Sequence, residues 1–253
     1  MAIRFDAASD RLLATANLLS NEGPYSWGGD IYWVSASGSD EALFVLNNDV
    51  TETTDSRDHI YIKNSDSTLR VFIGNGSGGY GFGTGSTLST GTWYNIFVVR
   101  ASATDIRVYL NGTLDITVTN DMSGRSSFTR QEIGGFTSTD LARFNGRVQN
   151  ILSLDGIELS AAEVMSQSKR FYPIRLGTST NRWTPAVQTG TDRSADWIGK
   201  YSWTVSGTLT DEEGQPKAWG SGQRRHYIPP TVTATPVTFF GGIGAGVVGR
   251  LTA

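Results

Sequence analysis

The stretch that decides the fold reads Gly91-Thr-Trp-Tyr-Asn-Ile-Phe-Val-Val-Arg100 and, after a short polar turn, Asp105-Ile-Arg-Val-Tyr-Leu-Asn-Gly-Thr-Leu-Asp-Ile-Thr-Val-Thr119. In the first part, strand alternation divides the large side chains between two faces, with Trp93, Phe97 and Val99 on one and Tyr94, Ile96 and Val98 on the other. Because both faces are largely apolar, this segment predicts a central strand that is buried on both sides.

The second part predicts a β-hairpin. Its two strands flank Asn111-Gly112, a pair that tolerates the positive φ angles of a type I′ turn. Alternation predicts an inward row and an outward row, with Ile106, Val108, Leu110, Leu114, Ile116 and Val118 facing inward and Arg107, Asp115 and Thr117 facing outward. One face of the hairpin is therefore expected to pack on a core.

Three elements together resemble the laminin-G-like or concanavalin A-like jelly roll. They are the Trp-Tyr strand, the hairpin Val108-Tyr-Leu-Asn-Gly112 and the later strand Phe144-Asn-Gly-Arg-Val148. The resemblance covers roughly residues 3–169. It implies an all-β, two-sheet antiparallel sandwich whose first strand, near Ile3, pairs with the last strand, near 143–154. That fold hosts lectins, glycanases, adhesion modules and viral structural parts, so it does not choose among functions.

Further strands and one helix complete the expected sandwich. Residues 41–47 predict a strand with Leu43 and Val45 opposite Phe44 and Leu46, and residues 59–63 and 68–73 predict a second hairpin around a polar turn. Ser160-Ala-Ala-Glu163 is a capping box, which predicts a short helix to about Lys169 with Val164 packed on the sandwich. We therefore expect a sandwich over residues 1–172 and an extended, mostly irregular C-terminal arm over residues 173–253.

The composition limits the possible classes of protein. The 253 residues include no cysteine, so disulfides and thiol chemistry are excluded, and the length allows one large β domain with an appendage. A formal charge of −3 gives no general attraction to nucleic acid or to an anionic membrane. No cationic segment followed by an apolar run opens the chain, so we expect synthesis in a cytoplasm.

The C-terminal arm is rich in proline, glycine and threonine, and its apolar residues are irregularly spaced. It resembles the segment that follows the jelly roll in many phage and environmental viral proteins. Its aromatic residues are expected to dock on partner subunits; they are Trp183, Trp197, Trp203, Trp219, Tyr227, Phe239 and Phe240. The apolar run at 237–251 is shorter than the ~20 residues that cross a bilayer, and its glycines disfavour a helix, so we expect no membrane span.

The sequence offers no catalytic motif. Glycanases with this fold carry Glu-x-Asp-x-Glu along one strand, and no such run occurs here. There is no Gly-x-Ser-x-Gly elbow, and two histidines without cysteine make a zinc site improbable. We therefore expect no enzymatic activity and no cofactor.

Two ligand sites deserve consideration. Laminin-G-like domains often bind calcium through loop oxygens, for which Asn48, Asp49, Asp55 and Asp58 are the candidates, although such residues are also ordinary turn formers. Tyr80 and Phe82 lie in a glycine-rich run, 74–85, that we expect to be a flexible surface loop. Their rings could stack on a sugar or anchor a protein partner, and the sequence does not separate these alternatives.

Together these features favour a non-catalytic structural protein of a tailed-phage virion, a capsid decoration protein or another external appendage. It would be made in the host cytoplasm, assemble as a homo-oligomer, with a trimer favoured, and bind the capsid shell through its arm. The alternative is a carbohydrate-binding adhesin that uses the same sandwich to bind host glycans.

Overall fold

The computed structural model describes residues 2–7, 9–15, 19, 22–48, 56–76, 78–125, 127–136, 142–169, 203–207 and 209–212. Within them lie fifteen strands and one helix. In chain order these are β1 (Ala2–Phe5), β2 (Arg11–Thr15), β3 (Tyr25–Trp33), β4 (Glu41–Asn47), β5 (Ser56–Lys63), β6 (Thr68–Asn75), β7 (Tyr80–Thr87), β8 (Thr92–Ser102), β9 (Asp105–Leu110), β10 (Thr113–Val118), β11 (Arg130–Ile133), β12 (Ala142–Arg143), β13 (Gly146–Asp155), α1 (Ala161–Lys169), β14 (Trp203–Ser206) and β15 (Thr210–Glu212).

The strands form two sheets. One has seven strands in the order β10-β9-β8-β3-β13-β1-β15, and the other has eight, in the order β14-β2-β11-β4-β5-β6-β7 with β12 paired to β4. Neighbours along both orders are antiparallel, and only β12 runs parallel to its partner among the described strands. The predicted all-β sandwich of two antiparallel sheets with one short helix is confirmed.

Strand β8 is central and buried on both faces, as its sequence predicts. It pairs with β3 on one side and with β9 on the other. Ile96 and Val98 point into the main core between the sheets, whereas Phe97 and Val99 join Val164 of α1 in a second cluster outside the seven-stranded sheet. The hairpin turn after β9 is also confirmed, because Asn111 and Gly112 have φ angles of 53° and 81°.

The remaining local predictions for strand pairing and the helix hold. β1 pairs with β13, so the first strand lies beside the last strand of the predicted sandwich. Ser160 N donates to Glu163 Oε2 at 2.8 Å, and Glu163 N donates to Ser160 Oγ at 3.3 Å, which completes the capping box. Val164 is fully buried. In the described part of the chain, no helix has the length and apolar character needed to cross a membrane.

Two alternation predictions are wrong because strands contain irregularities. The β4–β5 register shifts between Ala42 and Phe44, so Leu43 joins Phe44 in the main core instead of facing away from it. The β9–β10 register shifts between Leu114 and Ile116, which leaves Leu114 50% exposed. An extra residue at a bulge reverses the side of the sheet on which the preceding side chains point. A simple two-residue period does not reveal this reversal.

The prediction of a flexible loop over residues 74–85 is also wrong. Residues 80–87 form β7, which pairs with β6. Its inward positions are Gly81 and Gly83, where an added Cβ would collide with the side chains of Val118 and Ile116 on β10. The glycines are therefore present because the two edge strands approach closely, and they do not mark a mobile segment.

Candidate functional site

Strands β5, β6 and β7 present aromatic and cationic side chains on the outer surface of the eight-stranded sheet. The alternate residues of β5 and β6 point into the core, including Ile60, Ile62, Leu69, Val71 and Ile73. Their neighbours must then face outward. We call this surface the arginine-aromatic face; its residues are Arg57, His59, Tyr61, Arg70, Phe72, Tyr80 and Phe82.

Register places these side chains side by side. His59 lies opposite Phe72, which lies opposite Phe82, and Tyr61 lies opposite Arg70. The rings of Phe72 and Tyr80 stack with centroids 6.0 Å apart and planes 14° from parallel. Tyr80 is 64% exposed and Phe82 44% exposed. The face therefore carries an aromatic platform in which Tyr80 and Phe82 are exposed and Phe72 is half-buried.

Two guanidinium groups lie against this platform. The Arg57 Cζ atom is 4.4 Å from the centre of the Phe72 ring, and the Arg70 Cζ atom is 5.4 Å from the centre of the Phe82 ring. Such cation–π contacts hold the guanidinium parallel to the aromatic surface while leaving N–H groups at its edge. Phe72 and Phe82 thus each have a guanidinium group, which is a hydrogen-bond donor, over one face of the ring.

Arg70 is fixed by the turn that joins β5 to β6. Its Nε donates to Thr68 Oγ1 at 2.7 Å, and its Nη2 donates to Asp66 Oδ2 at 2.7 Å. Hydrogen bonds from Thr68, reinforced by Arg70, hold the pKa of the Asp66 carboxyl below its usual value. The carboxylate stays ionised and keeps the guanidinium in place, so Arg70 is preorganised beside Phe82.

His59 is the buried residue of the arginine-aromatic face. Its ring is buried, with centroids 4.9 Å from Tyr61 and 5.7 Å from Phe136. Among the described residues, its Nε2 has no hydrogen-bond partner. Burial, with a smaller contribution from Arg57, lowers the pKa of His59 from 6.5 to about 3. The imidazole is therefore a neutral packing element at neutral pH.

We expect this burial to appear as a pH dependence of stability. Because the folded-state pKa of His59 lies below its unfolded-state value, the stabilisation is complete above pH 6.5 and is lost as the pH falls towards 3. The loss has a slope of up to about 1.4 kcal/mol per pH unit. Comparison of urea unfolding of the wild type and of His59→Phe at each pH isolates the contribution of His59 to the pH dependence. An NMR titration of the His59 ring with a midpoint near 6.5 would contradict the prediction.

The structure places some of the sequence-predicted residues and leaves others undescribed. Tyr80 and Phe82 lie on the arginine-aromatic face. Asn48 follows β4, and its Oδ1 atom is buried without a partner among the described residues. Trp203 begins β14, which pairs with β2. The remaining predicted residues lie outside the described residues: Asp49, Asp55, Trp183, Trp197, Trp219, Tyr227, Phe239 and Phe240.

Asp58, a calcium candidate, lies in the sandwich interior. One carboxylate oxygen accepts a hydrogen bond from Arg125 and the other accepts one from the Tyr25 hydroxyl. Arg125 Nη1 also donates to the Tyr25 hydroxyl oxygen at 3.1 Å. Burial, reinforced by the charge of Asp58, raises the pKa of Tyr25. Both oxygens of Asp58 are engaged in this cluster, and in the described part of the chain no group of three or more acidic or histidine side chains could hold a metal ion.

Sequence reasoning did not select Arg57, Arg70 or Phe72 as site residues. A signal is present for Arg70 and Phe72, because alternation along the predicted strand 68–73 places both on one face. Arg57 precedes the predicted strand 59–63, and only the observed extent of β5 brings it onto the same face as Tyr61. The stacking of Phe72 on Tyr80 depends on the pairing of β6 with β7, and β7 was predicted to be a loop.

Comparisons with known proteins agree with this architecture. Residues 6–165 match the model of the concanavalin A-like lectin/glucanases superfamily. No curated protein sequence shows significant similarity to the chain. Among solved structures, the heptameric SAP-like pentraxin of Limulus polyphemus is similar, with a TM-score of 0.58, 16% identity and coverage of 83% of this chain and 93% of the pentraxin chain.

Two other similar structures concern carbohydrates. A candidate carbohydrate-binding protein from Bacteroides ovatus has a TM-score of 0.60 at 11% identity, over 84% of this chain and 60% of its own. The CBM40 domain of the Ruminococcus gnavus IT-sialidase, solved with α2,3-sialyllactose, has a TM-score of 0.50 at 13% identity, over 66% of this chain and 96% of its own. At these identities the likeness concerns the fold. With its two-sheet sandwich and a family match over 6–165, the chain belongs to the concanavalin A-like lectin/glucanases superfamily.

Proposed function

We propose that this protein is a non-catalytic carbohydrate-binding domain and that the arginine-aromatic face is its binding surface. The observation that carries the proposal is the exposure of Tyr80 and Phe82 on one face, where the Tyr80 ring stacks on the half-buried Phe72 ring. A contiguous exposed aromatic patch on a protein surface is typical of an interaction site, whereas apolar residues exposed singly are not. The superfamily is that of concanavalin A-like lectins and glucanases, and the CBM40 domain shares its fold.

The chemistry of the face suits a sugar. The C–H face of a pyranose ring is apolar and packs on an aromatic ring, whereas its hydroxyl groups need hydrogen-bond partners around the edge. Tyr80 and Phe82 would supply the packing surface, and the guanidinium groups of Arg57 and Arg70 would donate to hydroxyl oxygens. Because Asp66 and Thr68 already hold Arg70, binding would cost little side-chain entropy.

The buried carboxylates support the non-catalytic part of the proposal. Glu41 accepts hydrogen bonds from Trp33 Nε1 at 3.2 Å and from Asn145 N at 2.9 Å. Asp30 accepts from Asn95 Nδ2 at 2.7 Å and also from an amide on β13. Burial raises the pKa of Glu41, yet its oxygens are used to connect β3 and β4 to the segment before β13. Hydrogen bonds to neighbouring strands occupy these carboxylates, which favours a structural role for them over a catalytic one.

A glycan array tests the proposal. We expect the full chain to bind a subset of glycans, and we expect Tyr80→Ala and Phe82→Ala each to raise the Kd for those glycans about tenfold, because each removes a stacking surface. Leu114→Ala is the matched control, since Leu114 is similarly exposed but lies on β10 of the other sheet. Titration calorimetry on the best glycan gives the constants.

Two outcomes would contradict the carbohydrate assignment. The first is an array with no bound glycan while the protein remains folded. The second is glycan binding that Leu114→Ala weakens as much as Tyr80→Ala, because the contacts would then lie elsewhere.

The virion structural role stays a prediction from the sequence. Its support is the aromatic C-terminal arm and the resemblance of that arm to segments of viral proteins. A sandwich that binds glycans and an arm that docks on a capsid are compatible in one chain. Any truncation that tests the arm must keep β14 and β15, because these strands pair with β2 and β1.

A further inference from the structure

A second feature of the eight-stranded sheet has no part in the proposed carbohydrate site. A wide-open surface cavity of about 440 Å³ is lined by Ser9, Arg11, Arg143 and Ser206. Arg11 and Ser206 lie opposite each other on β2 and β14, and Arg143 is on β12. Leu12 and Ala14 point into the main core, so Arg11 points to the outer surface of the sheet. Two arginines and two serines therefore surround one opening on the sheet surface.

Neither arginine has an acidic partner within ion-pair distance among the described residues. The Nε atom of Arg11 is buried and has no hydrogen-bond partner there. Each of the nearby carboxylates has other contacts, since Asp10 accepts from the backbone N–H groups of Asp6 and Ala7, and Glu132 pairs with Arg130. Within the described part of the chain, the positive charges of Arg11 and Arg143 thus have no direct counterion.

The electrostatics around Arg143 also favour the binding of an anion. Burial, followed by the positive charge of Arg11, lowers the pKa of Arg143, although Glu132 and Asp10 act against this effect. Two like charges beside one cavity repel each other, and an anion placed between them would remove the repulsion. Guanidinium groups bind planar or tetrahedral oxyanions through paired N–H donors, and serine hydroxyls add further donors.

We propose that the cavity lined by Ser9, Arg11, Arg143 and Ser206 binds an oxyanion, a sulfate or phosphate group, either free or carried on a larger molecule. Arg11 and Arg143 supply the charge, and the two serines supply hydroxyl donors. This site is separate from the arginine-aromatic face and does not depend on the proposed function. It would give the same sheet surface a second, charge-selective binding position.

Titration calorimetry of the full chain with sodium sulfate and sodium phosphate, at constant ionic strength set with sodium chloride, tests the proposal. We expect saturable binding of one anion per chain and at least a tenfold higher Kd in Arg143→Gln and in Arg11→Gln. Arg70→Gln is the control, because Arg70 lies on the same sheet surface but already pairs with Asp66. Equal Kd values in the wild type and both cavity variants, or no saturable binding, would overturn the proposal.

A measurement of thermal unfolding without sulfate or phosphate shows whether the variants still fold normally. In chloride at low ionic strength, Arg143→Gln should unfold at a temperature equal to or above that of the wild type, because it removes a repulsive charge. Markedly earlier unfolding would mean that the arginine is structural and would overturn the proposal. Competition by a sulfated polysaccharide for bound sulfate would identify a carried group, whereas its failure to compete would identify a free ion. Tyr80→Ala should leave sulfate binding unchanged, which separates this test from the glycan test.

Discussion

Replacement of Arg125 by methionine is expected to lower the free energy of unfolding by about 3–5 kcal/mol. Arg125 and Asp58 form an ion pair in which both side chains are fully buried. Methionine fills a similar volume against Phe128, over whose ring the Arg125 Cζ atom now lies at 4.6 Å. It leaves Asp58 as a buried carboxylate whose described hydrogen-bond donor is only the Tyr25 hydroxyl. The loss is therefore the penalty of an uncompensated charge and does not measure the net value of the pair.

Urea unfolding at neutral pH measures this loss, and two variants control it. The double variant Asp58→Asn/Arg125→Met should recover a substantial part of the loss, because no charge then remains buried without a partner. Arg107→Met removes a more exposed arginine that pairs with Asp105 and Glu158, and it should cost no more than about 1 kcal/mol. A loss below about 1 kcal/mol in the Arg125 variant would show that solvent reaches Asp58.

The elements that could be predicted from the sequence are those whose signals are local. Asn111-Gly112 specifies a turn by its own backbone preferences, and Ser160 with Glu163 caps a helix within four residues. The apolar residues on both faces of β8 mark a central strand because each face is covered, one by the opposite sheet and one by α1. These signals, together with the family resemblance, were sufficient for the two-sheet sandwich.

The features that could not be predicted depend on contacts between distant segments. Arg125 contacts Asp58 and Tyr25, which are 67 and 100 residues away in the sequence. Because Arg125 lies in no strand or helix, no periodic pattern predicts the direction of its side chain. The bulge in β4 turns Leu43 inward through pairing with β5, which no local pattern records. Such positions are set by register and packing, and a residue period alone does not contain that information.

The candidate site shows the same limit. The sequence indicates that the Tyr80 and Phe82 rings are exposed, but the glycines between and after them predict a loop. In the structure those glycines are the inward-facing residues of β7, where the neighbouring strand β10 supplies the apolar surface that β7 itself lacks. A strand whose inward residues are glycines shows no apolar alternation in its sequence. Its hydrophobic contact becomes apparent only when the side chains of the facing strand, here β10, are considered.

Replacement of Gly83 by valine tests this account, because it should disturb both the sandwich and the site. A Cβ at position 83 would collide with Ile116, and it would also lie 3.1 Å from Val71 Cγ1. Overpacking of this kind is expected to lower the free energy of unfolding by about 1–3 kcal/mol. Since relief requires β7 to move away from β10, Tyr80 and Phe82 should lose their alignment with Phe72, and glycan binding should weaken together with stability.

Thr84→Val separates crowding from a change in strand preference. It introduces the same side chain one residue later, on the exposed side of β7, and should change the free energy of unfolding by no more than about 0.5 kcal/mol. Urea unfolding and glycan titration of both variants give the comparison. If Gly83→Val were as stable as Thr84→Val, the gap between β7 and β10 would be wide enough for a side chain, and close approach would not explain the glycines. If it were destabilised while binding glycans with unchanged Kd, the position of β7 would not control the platform, because the rings would keep their arrangement after the strand had moved.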